Sequence, residues 1–267
     1  MAIRINYADP EAQGLTSCFL VTQGGMKDLV REVYPVRGGT ADPYRSGETF
    51  KIESVFNGTT DNYNDTSTTV DNSVNPFTVV WESYLDAGAG TYAAFTTYMS
   101  ARGLGPLILF YTSDPSYSDI TMGYSGANTA KAALPTGLTR TGQRHWGVWT
   151  WNGSAIGTGS NHGVWINGQP CTVTTSASGG AFSNQNGVGG VSTNVNGWVG
   201  GVRQVRFYAG RAWTQADAMR FYNPTTRDSL FKPSDIRVFF DVPAAAPFDG
   251  FYDAPIFRVK SNQQWSQ

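Results

Sequence analysis

Asn167-Gly168 is the dipeptide that most restricts how this chain can fold. A two-residue hairpin turn needs φ > 0 at both central positions, and asparagine followed by glycine is the pair that tolerates it best. The turn follows the run Gly163-Val-Trp-Ile166, and Cys171-Thr-Val-Thr174 is the expected returning strand. Other short runs have the same strand character. Phe77 to Tyr84 alternates Phe77, Val79 and Trp81 onto one face, and Leu107 to Tyr111 is a compact apolar run. His145 to Trp151 places Trp146 and Val148 on one face and Trp149 and Trp151 on the other. In Trp198 to Tyr208, Val202 falls in one phase and Val205 and Phe207 in the opposite one. Such a phase change predicts a β-bulge.

One helix interrupts this pattern. Thr214 is placed to cap it, Asp217 stands where a capping box needs an acid, and Trp213 can staple to Ala218. Asn223-Pro224 ends it, because the residue before proline avoids helical dihedrals. Only 15% of residues are charged, while 31 glycines and 13% aromatics fill the chain. That mixture suits short strands joined by many turns. With 267 residues of which 40% are hydrophobic, the chain fits one large all-β sandwich with a real core, or two small domains.

The net charge of −1 selects no partner, but its distribution is uneven. Residues 1–119 hold seven Lys/Arg and fourteen Asp/Glu. Residues 120–216 hold six cations (Lys131, Arg140, Arg144, Arg203, Arg206 and Arg211) and no carboxylate. Either this is drift in a Gly/Ser/Thr/Asn-rich stretch, or it gives complementary faces on neighbouring copies. The cations form no run, so nucleic acid is not an expected partner. No apolar stretch approaches the roughly 20 residues of a membrane span. Met1 to Asp9 lacks the basic start and apolar run of a signal peptide, so a soluble protein made outside the secretory route is expected.

Residues that could carry chemistry are sparse. Glu82 and Asp86 share a strand face but stand roughly 13 Å apart, too far for paired-carboxylate hydrolysis. His145 and His162 are the only histidines, and His145 lies inside a strand where packing or hydrogen bonding is its expected role. Cys18 and Cys171 match no metal or redox spacing; two buried thiols are expected, with a single bridge as the other option. Trp149, Trp151, Trp165 and Trp198 could form a sugar-stacking platform, yet a sandwich also needs large rings inside. Alternation alone does not assign their faces, and the core is the preferred reading.

Taken in chain order, these segments carry a resemblance. Asp9-Pro-Glu-Ala-Gln-Gly-Leu15, Phe56-Asn-Gly-Thr-Thr-Asp-Asn-Tyr63 and Asn75-Pro-Phe-Thr-Val-Val-Trp81 resemble successive motifs of concanavalin A-like, laminin G-like domains. So do His145 to Gly153, Val164 to Gly168, Trp198 to Tyr208 and the helix start at Arg211. The ending, Asn223-Pro224 to Leu230-Phe-Lys-Pro233, is similar to that of bacteriophage virion proteins of this type. The resemblance covers about residues 7–233. It implies an all-β, two-sheet antiparallel jelly-roll sandwich that sits in a particle as capsid decoration or as a tail or fibre component, or that binds carbohydrate. Calcium is the family's commonest ion, and Asp61, Asp65 and Asp71, with Asn57, Asn62 and Asn64, are oxygen ligands of the right kind. An ion-free Asx-rich turn is the preferred reading there, so no cofactor is expected.

The expectation is therefore a non-enzymatic structural protein located in the virion, partnered by other subunits and by copies of itself, with no nucleic acid and no membrane. A carbohydrate-binding module for host or surface adhesion, with glycans as partners, is the alternative. Residues 1–233 form the domain. Residues 234–267 read as an extended assembly arm, where Phe239, Phe240, Phe248, Phe251, Tyr252, Phe257 and Trp265 sit among prolines and must bury against the chain's own sandwich or a neighbouring subunit.

Overall fold

The computed structural model describes residues 3–22, 25–38, 44–46, 52–57, 62–64, 69–70, 76–86, 92–100, 107–112, 119–124, 129–153, 158–176, 187–188 and 198–233. The expected arm, with its seven aromatic residues, lies outside them, and so do Asp61, Asp65 and Asp71.

The described strands form two large sheets. One orders β16 (Gln169–Pro170), β15 (His162–Ile166), β14 (Arg144–Trp151), β9 (Phe77–Leu85), β19 (Val199–Ala209), β2 (Leu15–Thr22) and β3 (Gly25–Asp28). It is extended by β6 (Ile52–Asn57) on β19 and β5 (Tyr44–Ser46) on β6. The other orders β17 (Thr172–Ser176), β13 (Thr129–Ala133), β12 (Ile120–Tyr124), β11 (Leu107–Thr112), β10 (Tyr92–Ser100), β18 (Gly187–Val188), β7 (Asn62–Asn64) and β4 (Val36–Gly38). Here β8 (Thr69–Val70) joins β10 in the one parallel pairing described; the rest are antiparallel. A separate ribbon pairs β1 (Ile3–Ile5) with β20 (Phe231–Pro233).

Between the sheets lies the main core. Phe77, Val79, Trp81, Trp149 and Phe207 face Tyr111, Ile120, Met122, Ala130 and Ala132 across it. The other face of the first sheet is also covered. Val80, Val148, Leu20, Cys18 and Tyr208 pack under Trp213, Ala218, Phe221 and Leu230, from helix α1 (Gln215–Tyr222) and its flanking segments, and under Ile5 of β1. This second apolar layer explains why nearly every residue of β9 is buried, although a half-exposed strand would bury every other one.

Local chemistry fixes several joints. Asn167 and Gly168 take φ of 53° and 75°, the turn the dipeptide demands. Trp81 lies directly across from Gly147, and a Cβ there would collide with its ring. Val202 pairs with Ser83 and Gln204 with Glu82, so Arg203 is the bulged residue that brings Val205 and Phe207 back onto the core face. The α1 capping box between Thr214 and Asp217 is complete, and Asn223 closes the helix.

The returning strand differs from expectation. Gln169 and Pro170 pair with β15 and the Cys171 amide still bonds the Val164 carbonyl at 2.8 Å, but Thr172 to Ser176 cross to the edge of the opposite sheet, pairing with β13. An edge is where a strand can turn the corner between sheets.

Candidate functional site

Of the four tryptophans weighed between sugar platform and core, three lie in the main core. Trp149 and Trp198 are 0% exposed and Trp151 is 7% exposed, all inside the main core. Trp149 Nε1 donates to His162 Nδ1 at 3.1 Å, and Trp198 Nε1 donates to the Tyr84 carbonyl at 3.1 Å. Large rings with one polar edge fill the inter-sheet gap while their N–H groups find internal acceptors. Trp165 is half-buried on the opposite face, packed against the helical cap.

The charged residues are organised inside the cap. Glu82 is fully buried and accepts from Arg203 Nη1 at 2.8 Å and Gln204 Nε2 at 3.0 Å. Gln204 Oε1 accepts in turn from Arg206 Nε at 2.9 Å, and Arg206 Nη1 donates to Glu11 Oε2 at 2.9 Å. Arg220 completes the series by pairing with Asp9 at 2.9 Å and Glu11 at 3.4 Å. The basic middle of the chain is thus partly neutralised by the acidic N-terminal half within one molecule. Burial pushes Glu11 above the ordinary carboxylate range, with Arg206 pulling against it. Burial alone would lower Arg206, but Tyr208 and Glu11 outweigh it and hold the guanidinium charged. Phe221 and Phe231 sit on that guanidinium, with ring centroids at 5.0 and 4.9 Å. Each of these carboxylates is committed to a guanidinium, which makes the network a structural device rather than an acid–base pair.

Cys18 lies in the cap layer and Cys171 against the main core; both are free, and burial pushes both thiols up to about 12. They are protonated and unreactive at neutral pH. Among the described residues no group of three or more His, Cys, Asp or Glu could hold a metal. No described helix is long and apolar enough to cross a membrane.

Two concave surfaces stand out among the described residues. One, of about 470 Å³, is lined by Met219, Arg220, Tyr222, Asn223, Pro224 and Thr226 at the end of α1. Within it, Asn223 Oδ1 accepts from the Thr225 amide, and the Thr226 hydroxyl donates to the Arg220 carbonyl. The other, of about 330 Å³, is lined by Arg4, Ile5, Tyr7, Leu29, Val30, Glu32 and Lys232. Tyr7 is 66% exposed at its mouth, held in place by an Asn6 amide bond to the Leu230 carbonyl at 2.7 Å. Asp28, fully buried, organises the opposite wall. Its Oδ1 accepts from the Cys18 and Val30 amides, its Oδ2 pairs with Arg31, and its own amide bonds the Val33 carbonyl at 2.8 Å. Just beyond stand the exposed residues Val33 and Tyr34, with the Lys27 ammonium over the Tyr34 ring. Sequence reasoning missed this cleft, because its cations come from opposite ends of the chain and no local motif joins them.

The class defined by this architecture is an all-β, antiparallel two-sheet sandwich, which a concanavalin A-like jelly roll fits. No protein-family model and no curated protein matches the chain. Among solved structures it is similar to domain 4 of AbnA, a GH43 extracellular arabinanase from Geobacillus stearothermophilus, in complex with arabinotriose. Identity there is 15% and the TM-score 0.52, covering 78% of this chain and 98% of that domain. Trypanosoma rangeli sialidase matches at 14% identity and TM-score 0.47, over 83% of this chain. This chain spans only 36% of the sialidase, about a third of its length. The botulinum neurotoxin serotype D binding domain matches at 10% identity and TM-score 0.48, over 78% of this chain and 51% of that one. At these identities the likeness is one of fold.

Proposed function

We propose that this protein is a non-catalytic recognition module whose ligand is a glycan, bound in the cleft beside Tyr7. The observation that carries the reading is that cleft itself: a largely exposed tyrosine ring beside hydrogen-bonding charged side chains, over an apolar floor of Leu29 and Val30. Sugars offer an apolar ring face for stacking and hydroxyls for polar groups, and a pocket of this make-up meets both needs. The buried carboxylates, each tied to an arginine, support binding over hydrolysis. The fold likeness to an arabinanase domain solved with arabinotriose supports the same reading. Screening the full chain on a glycan array, beside Tyr7→Ala, tests it. Retained glycans that disappear in the variant are expected, and an empty array overturns the proposal.

A second reading, a subunit of a phage particle, rests on the motif order and on the ending Asn223-Pro224 to Leu230-Phe-Lys-Pro233. That ending is built into the fold, since β20 pairs with β1. The two readings are compatible, as a virion adhesin would satisfy both. Mass spectrometry of purified virions tests the second: hundreds of copies mean capsid, a handful mean tail, and absence rejects it.

A further inference from the structure

We infer that the groove at the end of α1 is a docking site for this chain's own residues 243–251. The groove, of about 470 Å³, presents Met219, 46% exposed, and Tyr222, 36% exposed, with Pro224 also in its lining. These side chains are held in place. A Cβ on Gly168 would come within 2.7 Å of Met219 Sδ and 3.1 Å of Tyr222 Cδ1, so glycine at the hairpin tip lets both lie against the turn. The Tyr222 ring meets Trp146 edge-on at 5.8 Å, and the Arg227 guanidinium lies over Trp146 at 4.5 Å. Exposed apolar groups fixed in this way lose little freedom when they are covered. Three polar side chains of the groove are engaged within the chain. Asn223 Oδ1 accepts from the Thr225 amide, the Thr226 hydroxyl donates to the Arg220 carbonyl, and Arg220 Nη2 donates to Asp9 and Ser229. Such a surface suits an apolar occupant better than a hydroxyl-rich one, which sets it apart from the Tyr7 cleft.

Reach and composition select the occupant. Thr226 of the groove lies within roughly 25 Å of Pro233, where β20 ends, even if the chain between them were fully extended. Residues 234–267 have a reach of roughly 100 Å, so length is no obstacle. About eight residues bring the chain back to the groove, which sets the stretch from Pro243 onward against it. There Pro243 and Pro247 bracket three alanines, and Phe248 and Phe251 follow. Proline fixes φ, so this stretch gives up little freedom on docking, and aromatic-lined grooves are a recurring seat for proline-rich segments. Covering its rings removes apolar surface from water, the dominant favourable term in association. Covalent attachment sets the local concentration at about millimolar, so a contact with a Kd of about 0.1 mM keeps the groove filled about nine-tenths of the time. Nothing in this docking requires the Tyr7 cleft to hold a glycan.

The test places the photo-crosslinker benzoylphenylalanine at position 248 or 251 of the full chain, in a mixture of isotope-labelled and unlabelled protein. Crosslinks to Met219, Tyr222 or their immediate neighbours within one chain are expected, at a yield that dilution does not change. In the full chain without crosslinker, chymotrypsin cleavage after Phe248 and Phe251 should become about tenfold faster when Met219→Gln and Tyr222→Gln are combined, because the stretch is then free all the time. Both substitutions keep good helix formers in α1, and circular dichroism and melting confirm that the variant folds. Crosslinks between labelled and unlabelled chains would seat the stretch on a neighbouring copy and overturn the assignment to the same chain. Crosslinks scattered over the surface or confined to the Tyr7 cleft overturn the groove, and so does cleavage that the double variant leaves unchanged.

Discussion

The Tyr111 hydroxyl on the second sheet stands 3.0 Å from Nδ1 of His145 on the first. Trp81 Nε1 donates to the same hydroxyl at 3.1 Å. An indole N–H can only donate, so the tyrosine oxygen accepts from Trp81, while the direction of its bond with His145 is set by the histidine tautomer. This is a polar bridge across an apolar core, where burial favours the neutral imidazole.

Burial accordingly lowers His145 from 6.5 to about 4. The unfolded chain binds the proton more readily, so stability is complete above about pH 6.5 and declines as pH falls toward about 4, by on the order of 3 kcal/mol. Urea denaturation across that window should show the loss. A profile unchanged in His145→Gln would remove the residue from the account. Tyr111→Phe strands two buried groups and is expected to cost about 1–3 kcal/mol at neutral pH.

Arg206 and Glu11 form the most buried ion pair described, with side chains 0% and 1% exposed. Removing one partner leaves an unpaired charge, so Glu11→Ala should cost about 3–5 kcal/mol. Replacing both with apolar residues of similar size, as in Arg206→Met with Glu11→Leu, should restore much of it. Chemical denaturation of the three variants decides; a double variant worse than the sum of its singles would contradict the reading.

How much of this was legible in advance depended on how local each feature is. The hairpin dihedrals at Asn167 and Gly168, the bulge before Val205 and the Thr214 capping box each follow from a few adjacent residues, and all are present. The alternation in β9 and β14 also sorted their faces correctly. What periodicity could not reveal is that the second face of the same sheet is roofed by α1, the segments flanking it and the β1–β20 ribbon. That roof turns Val80 and Tyr208 into core and hides Glu82. Nor could it assign Trp149 and Trp198 to core rather than platform. The Arg4–Lys232 juxtaposition depends on a pairing between the two ends of the domain, which no window reads.

The roof itself should be separable from the sandwich. Thr214 accepts from the Asp217 amide, and the Asp217 carboxylate accepts from the Thr214 amide. Thr214→Ala removes one half of this exchange and should cost about 1 kcal/mol. Hydrogen exchange should show faster opening of residues 215–222 while β9 and β14 keep their protection. Uniform loss of protection would mean that cap and sandwich unfold as one unit.

Trp149 and Tyr7 should divide stability from recognition. Trp149 is 0% exposed and bonded to His162, so Trp149→Ala leaves a large cavity and an unsatisfied histidine, at a cost of about 3–5 kcal/mol. Tyr7, 66% exposed, should change stability by no more than about 0.5 kcal/mol when truncated. Glycan affinity should respond in the reverse order: abolished in Tyr7→Ala, and unchanged in Trp149→Ala at temperatures where that variant is still folded. The opposite pattern, a fully stable Trp149 variant that no longer binds, would return the site to the tryptophans and require the β14 face to open toward solvent.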